Sequence, residues 1–492
     1  MAPPTESSSP SPTPTSPTGS STGSSTGNTD VHRVPRHAPR DVPRKEALRF
    51  WLKLGCISFG GPAGQIAIMH RELVETRRWI SEKRFLHALN YCMVLPGPEA
   101  QQLATYLGWL MHGTIGGIAA GVLFVLPSLI LLIALSWLYL AFGQVPLVAA
   151  LFYGVKAAVV ALVLHAAWRL GNRTLRRPAL VAIAAAAFVA LFFFEAPFPA
   201  IIVAAALVGW WLRAQLSNDP AASSHSSTHG AAAPAASAAS DALPAVIDDD
   251  SATPSHARWH PASFVRTLCI GIGLWLIAML ALVSSVGWTH TLTQMGWFFS
   301  KAAMVTFGGA YAVLPYVYEA AVEHYQWLTA AQMIDGLALG ETTPGPLIMI
   351  VAFVAYIGGV GNEIVAGSSL ASGALAACVV TFFTFLPSFI FILAGGPFIE
   401  STRDDLRLAA PLTAITAAVV GVIINLALIL AWHVWWPNAS TSTPFSNLAS
   451  GFEWPAALLT VAASIALMRY QVGVIWVIAM CGAAGVAIKL WA

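Results

Sequence analysis

Phe59-Gly60-Gly61-Pro62 and Leu95-Pro96-Gly97-Pro98 return in the second half of the chain as Phe307-Gly308-Gly309-Ala310 and Thr343-Pro344-Gly345-Pro346, at a constant offset of 248 positions. Trp79 returns as Trp327 and Lys53 as Lys301, with no gap between Lys53 and Pro98. Both copies lie in strongly apolar sequence and are interrupted where a membrane helix would continue. Two prolines around a glycine break a helix, because proline lacks an amide hydrogen and its ring clashes with the preceding turn. Paired, interrupted apolar segments in the two halves of a chain mark a transporter whose binding site lies near the bilayer midplane.

Composition agrees. Of 492 residues, 57% are hydrophobic and 10% charged, with mean hydropathy +0.69; a soluble domain carries roughly 25% charge. Such a chain cannot cover itself with polar side chains, so it reads as an all-α integral membrane protein solvated by lipid. The net charge of +2 argues for neither a nucleic acid nor an acidic partner. Five cysteines stand singly in apolar segments and read as small buried hydrophobes. The histidines show no ligand spacing, so neither a metal nor a cofactor is expected.

Residues 1–45 are a Ser/Thr/Pro/Gly-rich tail expected to be disordered, without the apolar core of a signal peptide. The tail ends in Arg33, Arg36, Arg40, Arg44 and Lys45, which predict a cytoplasmic N-terminus. Apolar runs predict spans near 46–68, 84–110, 115–141, 148–168, 179–194 and 198–213 in a first repeat (46–213). Residues 214–262 read as a flexible cytoplasmic linker. The remainder, 263–492, holds an extra span near 264–287 and a second repeat with spans near 292–318, 331–356, 368–397, 406–432, 454–468 and 472–491. The count is about 13. An odd number of crossings between the copies makes them inverted repeats built on broken helices. Beyond the motifs, Phe124 to Ser128 matches Thr384 to Ser388 at an offset of 260, which puts twelve extra residues near Gly358 to Ser369. One loop resists this count: residues 71–84 carry Arg71, Arg77, Arg78, Lys83 and Arg84 but fall outside. Making the first segment re-entrant brings that loop inside and sends Arg169 to Arg177 outside, so the spanning arrangement is preferred.

The interruptions are the candidate binding site. Phe59, Gly60, Gly61 and Pro62, with Phe307, Gly308 and Gly309, would start new half-helices whose free N–H groups face a cavity and suit an anion. Pro96, Gly97 and Pro98, with Pro344, Gly345 and Pro346, would do the same from about Glu99 and Leu347. The bland reading is close helix packing and a plain kink. Lys53 and Lys301 are intramembrane cations that would flank an anion path, or snorkel. Glu99 stands opposite Leu347 in the repeat and Glu341 opposite Met93; a carboxylate on only one side is a candidate for proton coupling. Trp79 and Trp327 read as interfacial anchors, with Ser81 and Thr329 as helix N-caps.

Taken together, Phe59-Gly60-Gly61-Pro62, Trp79-Ile80, Leu95 to Gln102, Phe307 to Tyr311 and Thr343 to Pro346 make the chain resemble the chromate ion transporter family in its two-domain, long-chain form. The resemblance implies a carrier of the bacterial inner (plasma) membrane that exports chromate, a tetrahedral oxyanion close to sulfate in shape, and so confers chromate resistance. It adds Gln101 to the binding candidates and leaves a homodimer open as an assembly. The residues themselves reach only an anion, so a sulfate or other oxyanion carrier is the near alternative. An anion channel or a membrane-embedded enzyme is more remote, and no clustered nucleophile, base or metal set supports an enzyme.

Overall fold

The computed structural model describes residues 42–59, 61–212, 245–248, 254–307, 309–401, 409–437 and 451–491. Residues 1–41 of the tail, most of the linker, Gly60 and Gly308 lie outside the described residues; Arg44 and Lys45, expected in the tail, already belong to the first helix. The described chain is helical, and six of its helices are long and apolar enough to cross a membrane: Glu99–Phe142, Pro146–Thr174, Pro261–Val286, Ser369–Glu400, Pro411–Trp435 and Val474–Trp491. Wide apolar faces carrying Ile277, Leu490, Trp211 and Trp491 are exposed, which suits lipid contact. This is a multi-pass membrane protein.

The two halves carry the same series of elements. In the first, α1 (Arg44–Ile57) is followed by α2 (Gly61–His70), which ends in a π-helical turn, Arg71–Thr76. Then come α3 (Glu82–Val94), α4 (Glu99–Phe142), α5 (Pro146–Thr174), α6 (Pro178–Phe194) and α7 (Phe198–Trp211). After α8 (Pro261–Val286), the series resumes with α9 (Thr291–Met304) and α10 (Ala310–Tyr318), which ends in the π turn Glu319–His324. It continues with α11 (Ala330–Thr342), a 3-10 turn (Leu347–Met349) leading into α12 (Ile350–Gly361), and α13 (Ser369–Ser401). It closes with α14 (Ala409–Trp435), α15 (Trp454–Met468) and α16 (Val474–Trp491). The correspondence reaches single residues. Arg78 and Gln326, one repeat apart, both hold positive φ (53° and 52°). Ser81 and Thr329 cap their helices by accepting from Arg84 N at 3.3 Å and Gln332 N at 3.2 Å.

Four expected spans, 46–68, 84–110, 292–318 and 331–356, are not single rods. Each is a pair of short helices folded back on itself. At the open end of the first pair, Arg77 bridges Glu46 at 3.3 Å and lies 5.0 Å over the Phe50 ring. In the third, Phe298 meets Trp327 at 5.9 Å. The second folds Tyr91 against Tyr106 at 5.7 Å, and the fourth sets Gly336 against the Phe353 ring. The reversals fall at the Phe-Gly-Gly and Pro-Gly-Pro motifs, where glycines adopt left-handed φ: Gly61 +69°, Gly97 +126°, Gly309 +95° and Gly345 +105°. A further reversal at Gly113 (φ +68°) folds residues 99–111 back on 114–142, and Gly108 lies against Gly116 there. In the second half the equivalent turn is the loop 362–368, where the extra residues were expected.

The halves interlock. Helices α6 and α7 pack on α14, while α15 and α16 pack on α5. Small residues permit the close crossings: Gly154 meets the backbone of Cys481 and Gly485, and Gly421 that of Ala184. Helix α8 buries only 11% of its apolar window, as suits a peripheral span. Trp79 and Trp327 are not interfacial anchors; both are buried (5% and 4% exposed) under aromatic neighbours, Phe50 for Trp79 and Tyr325 for Trp327. Of the cysteines only Cys92 and Cys481 are buried; Cys56, Cys269 and Cys378 face outward.

Candidate functional site

The tips of the four helix pairs meet. Gly97 N–H donates to Thr306 O at 2.8 Å, and Gly345 N–H donates to Ser58 O at 2.8 Å. These are the same bond made twice, because Thr306 is the repeat counterpart of Ser58 and Gly345 that of Gly97. Each Pro-Gly-Pro tip thus rests on the Phe-Gly-Gly tip of the other half. Each also rests on a Pro-Ser pair from the other half's long helix: a Cβ on Gly97 would overlap Ser388 Oγ, and one on Gly345 would lie 2.6 Å from Ser128 Cβ.

Between the tips lies a cavity lined by Pro62, Gln65, Pro98, Glu99, Ala100, Gly309, Ala310, Pro346, Leu347 and Ile348. Those residues are the first turns of four helices that start at Gly61, Glu99, Ala310 and Leu347. First-turn amide groups have no partner within their own helix, and the positive dipole end adds to them, so four converging starts favour an anion. The cavity volume is ≈ 10 Å³, room for about one water. Anything larger than a water molecule enters this cavity only if the tips part.

The predicted residues separate into groups. Pro62, Pro98, Glu99, Gly309 and Pro346 line the cavity, and Gly97 and Gly345 make the tip bonds. Phe59, Gly61, Pro96, Pro344 and Phe307 belong to the same tips, and Pro96 O accepts from Gln102 Nε2 at 2.8 Å. Gln101 is buried behind the tip, donating to Thr105 Oγ1 at 2.9 Å. Glu341 stands off the cavity wall and accepts a short hydrogen bond from the Tyr311 hydroxyl. Gly60 and Gly308 lie outside the described residues. Lys53 and Lys301 are not brought to the site: both are exposed on the outer faces of α1 and α9, and Lys301 Nζ sits 5.8 Å over the Trp297 ring. The reason is legible in the helix period, because the buried stripe of α1 is Ala47, Phe50, Trp51, Leu54 and Gly55. Lys53 points more than 90° away from it.

Several residues at the tips went unread in the sequence. Gln65 is fully buried, donates a short bond to Gly345 O and reaches Ser58 O at 3.5 Å. On the tips and the helices that carry them, Ser58 Oγ, Gln65 Oε1, Gln101 Oε1, Gln102 Oε1, Ser128 Oγ and Ser388 Oγ are buried without a hydrogen-bond partner among the described residues. An unmet buried polar atom costs about 1–3 kcal/mol, so a hydrogen bond from a ligand or water would be favourable at each of these atoms. The Pro-Ser pairs at Ser128 and Ser388 were visible as a repeat. Gln65 had no signal, since its counterpart is Val313.

Farther from the tips, ion pairs tie each half's second hairpin to the other half. Arg84 on α3 meets Glu400 on α13 at 3.6 Å with both side chains buried, and Tyr106 OH donates to Glu400 Oε1 at 2.5 Å. Asp335 on α11 meets Lys156 on α5 at 3.4 Å and accepts from Tyr139 OH at 2.9 Å.

The sequence profile of the Chromate transporter family matches residues 45–210 and 293–486. A Chromate transport protein of Pseudomonas aeruginosa is 34% identical, over 85% of this chain and 89% of its own length. One of Cupriavidus metallidurans is 28% identical, over 79% and 82%. An uncharacterized transporter of Methanocaldococcus jannaschii is 24% identical, over 78% and 84%. No solved structure matches the chain. The matched residues hold all four hairpins and the helices behind them, and the chain belongs to the chromate transporter family.

Proposed function

We propose that this protein is a secondary transporter that exports chromate across the plasma membrane and so confers chromate resistance. The observation that carries the reading is the reciprocal pair of tip bonds, Gly97 to Thr306 and Gly345 to Ser58, closed over a cavity faced by four helix starts. The names of the relatives supply the substrate, and the site supplies an anion.

In this reading the helix pairs are re-entrant hairpins, and nine helices cross the bilayer: residues 114–142 of α4, α5 to α8 and α13 to α16. Five crossings separate the two sets of hairpins, so the repeats are inverted and their tips approach from opposite faces. This arrangement also removes the conflict left by the spanning count. With both early hairpins re-entrant, the basic loops at 71–84 and 169–177 fall on the same side as Arg44 and Lys45. The opposite side receives Glu195, Glu319, Glu323, Glu363 and Glu453. Such a bias supports a cytoplasmic N-terminus. The hairpins would carry the anion by parting first on one face and then on the other.

The energetics suits export. A dianion leaving a cell held at about 150 mV, negative inside, gains roughly 7 kcal/mol. Uptake of chromate into inverted vesicles under imposed potential and pH gradients, with sulfate as competitor, tests the reading. Saturable, potential-driven chromate uptake that sulfate inhibits weakly is expected. No chromate movement, or sulfate carried in preference, would overturn it.

A further inference from the structure

We propose that Lys156 and Asp335 form a second oxyanion site, at the mouth of the pathway and not at the hairpin tips, built for an anion that still carries a proton. The inference rests on the reading that the protein moves chromate. The pair lines a cavity of ≈ 350 Å³ between the end of α4, the start of α5 and the capped start of α11, together with Tyr139, Gln144, Thr329 and Gln332. Asp335 is 96% buried by its 4% exposure. Its Oδ2 takes both Lys156 Nζ at 3.4 Å and the Tyr139 hydroxyl at 2.9 Å. Its Oδ1 is buried with no hydrogen-bond partner among the described residues.

A cation beside an unmet carboxylate oxygen suits one class of ligand. The ammonium of Lys156 has three donors and can meet the charged oxygens of an oxyanion. Asp335 Oδ1 accepts only, so it needs a hydroxyl opposite. Hydrogen chromate offers both, and so does phosphate; chromate retains a proton on part of its population near neutral pH. Sulfate retains none, and its oxygens would face the lone pairs of Oδ1. Rejection through an unpaired charge is an effective means of specificity. The arrangement exists on one side only, because the repeat counterparts of Asp335 and Lys156 are His87 and Thr416. The site thereby filters anions at one face, in the proposed topology the outer one.

The test is chromate exchange in proteoliposomes of the full chain at fixed neutral pH, measured separately from each face. From the face bearing this mouth, phosphate should inhibit the wild-type protein about tenfold more strongly than sulfate, the factor carried by one hydrogen bond to a charged group. D335N should raise sulfate inhibition relative to chromate by about tenfold. K156Q should raise the chromate KM from that face about tenfold while leaving the other face nearly unchanged. A merely structural role would weaken all anions and both faces together. Equal inhibition by phosphate and sulfate in the wild type, or a D335N selectivity ratio within about twofold of wild type, overturns the proposal. Wild-type vesicles that exchange no chromate would overturn the transport reading beneath it.

Discussion

Replacing Gly97 or Gly345 by alanine strikes the tip contact from both halves. Gly97 holds φ +126° and Gly345 φ +105°, where an alanine is strained by about 1–2 kcal/mol. A Cβ on Gly97 would lie 2.7 Å from Gln102 Nε2 and overlap Ser388 Oγ; on Gly345 it would lie 2.6 Å from Ser128 Cβ. Carbon atoms pack at about 3.5–4.0 Å, so the tip must lift by about 1 Å. Overpacking of that kind costs about 1–3 kcal/mol. The lift also loosens the 2.8 Å bond to Thr306 or Ser58, a loss of about 0.5–1.5 kcal/mol. The total, about 4 kcal/mol, lowers the population of the closed-tip state by about 10³. G97A and G345A should each reduce initial chromate uptake into inverted vesicles by at least about 100-fold at matched protein levels. Gly273 has negative φ and nothing near its absent Cβ, so G273A serves as the control and should transport normally. Transport by both tip variants within about threefold of wild type would refute the role given to the tips.

Breaking the buried Arg84–Glu400 pair should destabilise the protein by about 3–5 kcal/mol, and replacing both partners with apolar residues should recover most of it. Thermal unfolding of R84M, E400L and the double variant checks this, and additive losses would contradict it. K53Q and K301Q should leave the chromate KM within about twofold of wild type, since both lysines face outward. A tenfold rise would return them to the pathway. Glu99 lines the cavity whereas Glu341 is held by Tyr311. E99Q should therefore abolish the response of transport to an imposed pH gradient while sparing the response to potential, and E341Q should blunt it less. A full pH response in E99Q would remove Glu99 from coupling.

The sequence made the tips legible because a helix break is a local event. Pro-Gly-Pro and Gly-Gly forbid a continuous helix whatever surrounds them, and the repeat located all four breaks. Whether the chain goes on across the bilayer after a break or turns back is decided by contacts far along the chain, such as Arg77 with Glu46 and Tyr91 with Tyr106. Span counting takes each of the four helix pairs as one crossing, whereas in the proposed topology each pair enters and leaves on one face, which also brings the basic loop at 71–84 inside. Charge and repetition single out Lys53 and Lys301, although the stripe Phe50, Trp51, Leu54 already sets Lys53 on the other face. Gln65 and the pairing of Asp335 with Lys156 were hidden for the opposite reason. They have no counterpart in the other half, so a search for symmetry passes over them.

In the proposed topology the hairpins enter from opposite faces and meet. Arg78 and Gln326 are repeat counterparts at the open ends of the first and third hairpins, with the same left-handed backbone. Single cysteines placed there, in a chain whose five native cysteines are replaced, can be labelled in intact and in inverted vesicles with a membrane-impermeant maleimide. R78C should be labelled only from the cytoplasmic face and Q326C only from the outer face. Labelling of both from the same face would contradict this topology.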